Sequence, residues 1–307
     1  MSDQLQKFLF KNADIRGSFV ELSKAWHAVL QHHSYPLPVI KLLGEMTAAV
    51  TLLSGSIKFN GATVMQIHGS GPIQLLVVEC NNTMQIRATA KLNAQIPLTD
   101  ISNPIDLINA DGKGRCIITL DPHEKMPGQR PYQGIVSLEG KTVSEIIENY
   151  MKHSEQVDTR IWLAANKETV KGLLLQKMPP KRNGWGVVIK NEDDDYQWEH
   201  LTALASTLKN DEMLSTDIST LQHRLFWEEN ITNFSPLYPT FHCGCSREKV
   251  SNMLKMLGKN EVNQSLQEQG TLKINCDYCG KTYSFNQTDC DALFVPSKDA
   301  PEKQQSL

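Results

Sequence analysis

A chain of 307 residues with a formal net charge of −3 is long enough for a full core and for two domains. That charge gives no bulk electrostatic reason to bind nucleic acid, and no apolar run approaches the roughly 20 residues of a membrane span. Met1 to Lys11 lacks the charged, apolar, small-residue order of a secretory signal, so the expected setting is cytoplasmic and reducing. The seven cysteines are then expected as thiols or metal ligands rather than structural disulfides.

Residues 1–178 read as one mixed domain of sheets and helices. Phe8 to Leu22 begins as a strand-like stretch, and two helical segments follow. In the second, Leu42, Leu43, Met46, Val50 and Leu53 share one helical face. Strand-like runs come next at Thr63–His68, Ile73–Glu79, Met84–Leu92 and Cys116–Leu120, separated by Gly-, Asn- and Pro-rich turns. Thr142–His153 is a helix with Val143, Ile146, Ile147 and Tyr150 inward. Arg160–Ala165 and Gly172–Met178 look like closing strands. Strands with irregularly interspersed helices favour an α+β layer over a doubly wound sheet.

Pro179-Pro180 ends that domain, and residues 179–240 read as a helical linker. Between Lys190 and Asn230 there are ten acidic residues against three basic ones. Helical periodicity persists in two stripes: Trp198, Leu201, Ala205 and Leu208, then Leu214, Ile218, Leu221 and Leu225. Two amphipathic helices with acidic outer faces are the expectation. They serve either as a plain connector packed on the first domain or as a metastable segment that exposes apolar surface when undocked.

Residues 241–295 form a cysteine-bearing domain, and residues 296–307 a polar tail. Ser246 can cap a helix striped by Val250, Met253, Leu254 and Leu257, with Gly258 at its end. Leu272–Phe285 reads as a hairpin whose turn holds Cys276 and Cys279. Cys243 and Cys245 form a C-x-C pair, and thirty residues separate it from the C-x-x-C pair of Cys276 and Cys279. Two close pairs around a short insert are the grammar of a four-thiolate zinc site. Soft thiolates and a tetrahedral arrangement suit that d¹⁰ ion.

The segment's 55 residues make too small a core to stand alone, so zinc would supply folding energy directly. Zinc would also keep four cysteines deprotonated, and thiolates react with oxidants far faster than thiols. In a C-x-x-C turn the two Cα atoms can reach the roughly 4.4–6.8 Å that a disulfide needs, so Cys276–Cys279 is expected to close readily. An extended C-x-C pair lies near the upper limit, which makes Cys243–Cys245 strained and slower. A purely structural zinc ribbon and an oxidant sensor both fit this spacing. His242 is expected to flank the site, Cys290 to be a core residue, and Cys80 and Cys116 to be buried and inert.

Catalytic signals are sparse. Gly69-Ser70-Gly71 and Gly112-Lys113-Gly114 lack dinucleotide or P-loop spacing, and neither G-x-S-x-G nor H-E-x-x-H occurs. His32-His33 reads as a solvated helix end, and Asp14 with Arg16 as an ordinary ion pair.

The run from Phe241 through Cys243, Cys245, Ser246 and Arg247 to Val250, with Cys276-Asp277-Tyr278-Cys279 and Tyr283-Ser284-Phe285, resembles the zinc centre of the thirty-three-kilodalton heat-shock protein family. Phe8-Leu9-Phe10 with Asp14-Ile15-Arg16-Gly17 is similar to that family's opening. Tyr132 to Val136, Gly172 to Gln176 and Arg224 to Glu229 resemble its later signatures, so the likeness spans nearly the whole chain. It implies a cytoplasmic, ATP-independent, non-enzymatic chaperone of the stress response. In the reduced state it would hold one Zn²⁺ through Cys243, Cys245, Cys276 and Cys279 and be inactive. On oxidation it would form Cys243–Cys245 and Cys276–Cys279 disulfides and release zinc. It would then bind unfolding client proteins, as a homodimer when activated. Cys290 has no place in that pattern. The apolar stripe of Trp198, Leu201, Leu208, Leu214, Ile218, Leu221 and Leu225 is the candidate client-binding surface.

A zinc-ribbon nucleic-acid-binding protein is the alternative, but residues 241–295 carry six basic and six acidic residues without a basic stripe. A disulfide oxidoreductase would need a thioredoxin-like βαβ setting around Cys276 and Cys279, where the pattern predicts a short hairpin.

Overall fold

The computed structural model describes residues 3–96, 104–124, 131–179 and 193–295. The expected Pro180 boundary, the start of the linker through 192 and the polar tail from 296 lie outside the described residues. Contacts divide the chain into two compact units, Met1–His242 and Cys243–Leu307.

The first unit opens with two antiparallel strands, β1 (Gln4–Phe10) and β2 (Ile15–Leu22). Helices α1 (Lys24–Leu30) and α2 (Leu37–Ser56) follow. Next come β3 (Gly61–His68), β4 (Ile73–Asn81), β5 (Gln85–Leu92), β6 (Arg115–Pro122) and β7 (Tyr132–Ser137). Then α3 (Val143–His153) leads to β8 (Thr159–Ala165) and β9 (Val170–Lys177). The α3 N-terminus is capped by the Thr142 side chain, which accepts from the Glu145 amide.

Three helices succeed them: α4 (Asp194–Ser206), α5 (Asn210–Ser215) and α6 (Ile218–Phe226). The short strands β10 (Ile231–Asn233) and β11 (Thr240–Phe241) end the unit. Three helices replace the two expected between 190 and 230. Lys209 is extended before α5, and Asp217 is extended before α6, where its carboxylate accepts from the Thr220 amide. An Asp at that position starts a new helix rather than continuing the old one.

Two sheets carry the unit. One has the order β10-β1-β2-β9-β8 and is antiparallel throughout. The other has the order β11-β5-β4-β3-β6-β7, with only β11 parallel to its neighbour. Between them runs α2, whose residues join strands of both sheets in one core.

By length and composition α2 is apolar enough to cross a membrane, which corrects the expectation that no run comes near that length. Thr47 and Thr51 interrupt its apolar run, yet each hydroxyl donates to a carbonyl one turn earlier, Leu43 at 2.6 Å and Thr47 at 2.7 Å. They therefore bury without unpaired polar groups, and 72% of the helix's most apolar window lies inside the fold. A helix buried over most of its surface keeps only a narrow polar face, here Lys41 and Glu45, so its composition comes close to that of a membrane span.

The five-stranded sheet is buried on both faces. Leu5, Val20, Leu22, Ile161, Leu163 and Leu174 point to the α2 core. Their alternates Phe8, Phe10, Ile15, Phe19, Leu173 and Leu175 point to a second cluster. That second cluster is closed by α4, α5 and α6 through Leu201, Ala205, Met213, Ile218, Leu221 and Phe226. Phe226 packs edge-on to Phe10 at 5.2 Å and tilted on Phe8 at 6.0 Å. Gly17, paired opposite Phe8 across the strands, leaves room for that ring: a Cβ there would sit 2.1 Å from Phe8 Cζ.

The second unit contains α7 (Arg247–Leu257), α8 (Lys259–Gln269), the hairpin β12 (Leu272–Asn275) and β13 (Thr282–Phe285), and α9 (Gln287–Leu293). Gly258 ends α7 as expected, and α8 and α9 were not anticipated. Its core is small: Leu254, Val262, Leu266, Leu272, Tyr283, Phe285 and Cys290.

Candidate metal centre

Local sequence brings the four cysteines together from two short segments. Cys245 immediately precedes Ser246, whose hydroxyl accepts from the Lys249 amide at 3.2 Å and fixes the start of α7. Lys249 Nζ donates to the Gly244 carbonyl at 2.7 Å and braces the C-x-C turn. Cys276 and Cys279 occupy the turn between β12 and β13. The Gly280 amide donates to the Cys276 carbonyl at 2.9 Å, and the Cys276 amide to the Lys281 carbonyl at 2.9 Å. Gly280 closes this turn at φ 65, a region where a side chain would be strained.

All four Sγ atoms lie within 4.8 Å of one another. Cys243 Sγ is 3.6 Å from Cys276 Sγ, and Cys245 Sγ is 3.5 Å from Cys279 Sγ. Arg247 ties the pieces together: it donates to the Ser284 carbonyl at 2.8 Å, pairs with Asp289 at 3.1 Å and lies over the Phe285 ring at 4.1 Å.

Protons are distributed unevenly over the cluster. Burial pushes the Cys243 thiol up to about 12, and burial also raises Cys279. At Cys245 burial acts in the same sense, but hydrogen bonds from Tyr283 and the other three cysteines outweigh it and bring the thiol down to about 7. Four sulfurs this close cannot all ionise without a cation among them. The arrangement is thus a compact all-sulfur donor set for a metal ion, and it is the one such group found among the described residues.

Other expected residues fall as follows. His242 is exposed and outside the cluster, its amide bonded to the Ile86 carbonyl. Cys290 is buried on α9, within the small core. Cys80 and Cys116 are buried on β4 and β6, where desolvation pushes both thiols up to about 12. His33 stacks on Tyr35 at 4.7 Å, and His32 is exposed. Arg16 donates to Gln176 Oε1 at 2.8 Å and to the Ser56 carbonyl at 3.2 Å.

The candidate client-binding residues are covered. Trp198 and Leu201 lie on α4, Leu208 follows it, Leu214 lies on α5, and Ile218, Leu221 and Leu225 on α6. Leu201, Leu208, Ile218 and Leu221 are buried in the second cluster, and Trp198, Leu214 and Leu225 pack at its edge. The sequence reading missed the other half of that contact, the sheet residues Phe8, Phe10, Phe19, Leu173 and Leu175. Its signal was present: Leu173-Leu174-Leu175 is apolar without alternation, so a cover is required on each face. Tyr283, whose hydroxyl lies 3.1 Å from Cys245 Sγ, was also missed as a neighbour of the centre.

The family model described as Hsp33 protein matches residues 3–286. A 33 kDa chaperonin of Methylobacillus flagellatus is 42% identical over 296 residues, covering 96% of this chain and 95% of that protein. A 33 kDa chaperonin of Pseudomonas aeruginosa is likewise 42% identical over 296 residues, with coverage of 96% and 95%. Among solved structures, the crystal structure of a 33 kDa chaperonin from Thermotoga maritima superimposes with a TM-score of 0.75 at 17% identity, over 94% of this chain and 97% of that one. At that identity the superposition speaks for the fold.

Proposed function

Because the chain belongs to the Hsp33 family, we propose that it is a redox-regulated, ATP-independent holdase, inactive while reduced and metal-bound. The observation that carries this reading is the convergence of Cys243, Cys245, Cys276 and Cys279 within 4.8 Å. A regular tetrahedron around zinc, with Zn–S bonds of about 2.3 Å, has edges of about 3.8 Å, close to the two separations above. The all-thiol donor set fits Zn²⁺ best among common divalent ions. When bound, zinc would keep the four sulfurs deprotonated and supply folding energy to the small unit.

Oxidation proceeds on the sulfurs. A thiolate attacks a peroxide, takes one oxygen as a sulfenic acid and releases hydroxide. The partner thiolate then displaces that oxygen as hydroxide, forming the disulfide. Two such rounds give Cys276–Cys279 and Cys243–Cys245 and leave no ligand set for the metal. The small unit then loses its stabilising ion.

In this reading the chain works as segments 1–178, 179–240 and 241–295. Cys243 lies two residues past the end of β11, so unfolding beyond it frees the C-terminal anchor of the linker. The helices α4–α6 carry an acidic surface that favours opening once an anchor is lost. Opening exposes two apolar faces at once: the helix stripes and the sheet face of Phe8, Phe10, Phe19, Leu173 and Leu175. Unfolded clients bind there, and a second activated copy can extend the surface as a homodimer.

An aggregation assay with a thermally unfolding client tests this. Oxidised protein is expected to suppress light scattering at near-stoichiometric ratio, zinc-loaded reduced protein to leave it unchanged, and zinc release to parallel the gain. Equal suppression by both forms would remove the redox switch.

A further inference from the structure

The four sulfurs of the centre are not equivalent in what surrounds them. The Cys243 and Cys279 thiolates are favoured by backbone amides, those of Cys245 and Lys281 respectively. Cys245 instead receives a hydrogen bond from a side chain: Tyr283 Oη donates to its Sγ at 3.1 Å. This side-chain hydrogen bond reaches the cluster from outside the cysteines.

Nothing about this contact is loose. Tyr283 lies on β13, paired with Ile274 on β12. It is 6% exposed and belongs to the small core. Lys281 Nζ sits over its ring at 5.3 Å. Packing therefore fixes the phenol's direction before any ligand arrives, so the O–H is preorganised toward Cys245.

We propose that Tyr283 is a positioning residue of the metal centre that restrains Cys245 by donating its phenol proton to that sulfur, so that oxidation begins at the C-x-x-C pair. This rests on the metal-centre reading above. With the metal holding all four sulfurs as thiolates, the lower proton affinity of Cys245 gives it no lead. A hydrogen bond to a thiolate draws charge from the sulfur and weakens it as a nucleophile, much as outer-shell partners tune ligands elsewhere. Attack on peroxide by Cys245 requires that lone-pair density. While the bond holds, Cys276 or Cys279 is the sulfur that takes the oxygen first, and the other of that pair closes the disulfide with loss of hydroxide. Closure of Cys243–Cys245 then waits until the hairpin that carries Tyr283 has loosened. The hydrogen bond thus orders the two oxidations and protects the protein from firing on a single oxidation of the C-x-C pair.

The test compares full-length protein with the Tyr283→Phe variant, which keeps the ring in the core and deletes only the donor. Three readouts are taken: peroxide-driven zinc release with a chromophoric chelator, alkylation of each cysteine by peptide mapping, and the sulfur-to-metal charge-transfer band of the cobalt-loaded protein. The expected result is release faster on the order of tenfold, Cys245 gaining reactivity more than Cys279, and a charge-transfer band shifted to lower energy. Unchanged release with an unshifted band overturns the proposal. So does a uniform gain at all four cysteines with weaker metal binding, which marks a merely structural tyrosine. If the variant does not fold, fluorotyrosine at 283, a stronger donor of similar shape, is expected to slow release and shift the band to higher energy, and no shift overturns the proposal. Failure of the unaltered protein to bind zinc or cobalt would instead sink the metal-centre reading itself.

Discussion

Lys171 Nζ, on the interior strand β9, donates a 2.7 Å hydrogen bond to the carbonyl of Thr216, where α5 gives way to α6. The same ammonium lies 3.4 Å from Glu21, its cross-strand partner on β2, and both side chains are buried, at 2% and 9% exposure. One buried cation therefore joins the sheet to the helices that cover it. Replacing Lys171 with Met strands the Glu21 carboxylate and the Thr216 carbonyl together. The expected loss is about 3–5 kcal/mol, read from urea denaturation. Adding Glu21→Leu removes the stranded charge and is expected to restore most of the loss. An unchanged midpoint for the single variant would show that water reaches the pair.

Glu45 sits partly buried on α2, and burial pushes its carboxyl up to about 7 even though Lys41 works the other way. A carboxyl raised in the folded state binds protons more tightly there than in the unfolded chain. Its cost to stability is absent below the ordinary value near 4.5, grows as pH rises and is complete above 7. That cost is at most about 3 kcal/mol. Glu45→Gln should then stabilise the protein at pH 8 and lose most of that gain by pH 5 in paired denaturation curves. A gain that is the same at both pH values would deny the shift.

Metal removal separates the two units. Residues from Cys243 onward are held by seven buried side chains and, in the proposed reading, one zinc. Chelation is expected to collapse amide dispersion for 243–295 while the strands β1–β9 keep theirs, because an ion-dependent unit unfolds without its ion and the two sheets keep the α2 core. Cys276→Ser is expected to weaken zinc binding on the order of 100-fold or more, since it removes a ligand and not merely an outer-shell partner. Cys290→Ala is the control: it removes a buried thiol from the same core and leaves the four ligands in place. Tight stoichiometric zinc in the Cys276 variant would overturn the ligand set.

The cysteine spacing alone located the candidate centre, because C-x-C before a capping serine and C-x-x-C at a hairpin turn are local patterns with local geometry. The strands from Thr63 to Leu120 were legible for the same reason, since period-2 alternation and turn residues lie within a few positions of one another. What escaped was everything set by distant pairing. Residues 231–233 and 240–241 join the two sheets as β10 and β11, yet three- and two-residue strands carry no periodicity to read. The break into three linker helices depended on Asp217 acting as a cap, which competed with a continuous apolar stripe. The Tyr283–Cys245 contact spans 38 positions and follows from hairpin register, which sequence leaves open.

The linker helices supply the last and most direct prediction. Leu221 is buried against the five-stranded sheet in the cluster that contains Phe8, Phe10 and Phe226. Leu221→Asp places a carboxylate in that cluster with no cationic partner, and the acidic surface of α4–α6 adds repulsion. Docking is expected to weaken by about 3–5 kcal/mol, enough to populate the open form while the cysteines stay untouched. Three consequences follow in the reduced protein: amides of 194–226 exchange faster, client aggregation is suppressed without oxidant, and zinc stoichiometry is unchanged. Faster exchange without suppression would mean that the uncovered faces are not where clients bind. If the same amides remain protected in oxidised, fully active unaltered protein, the linker is not the switch, and client binding must reside on residues 1–178 alone.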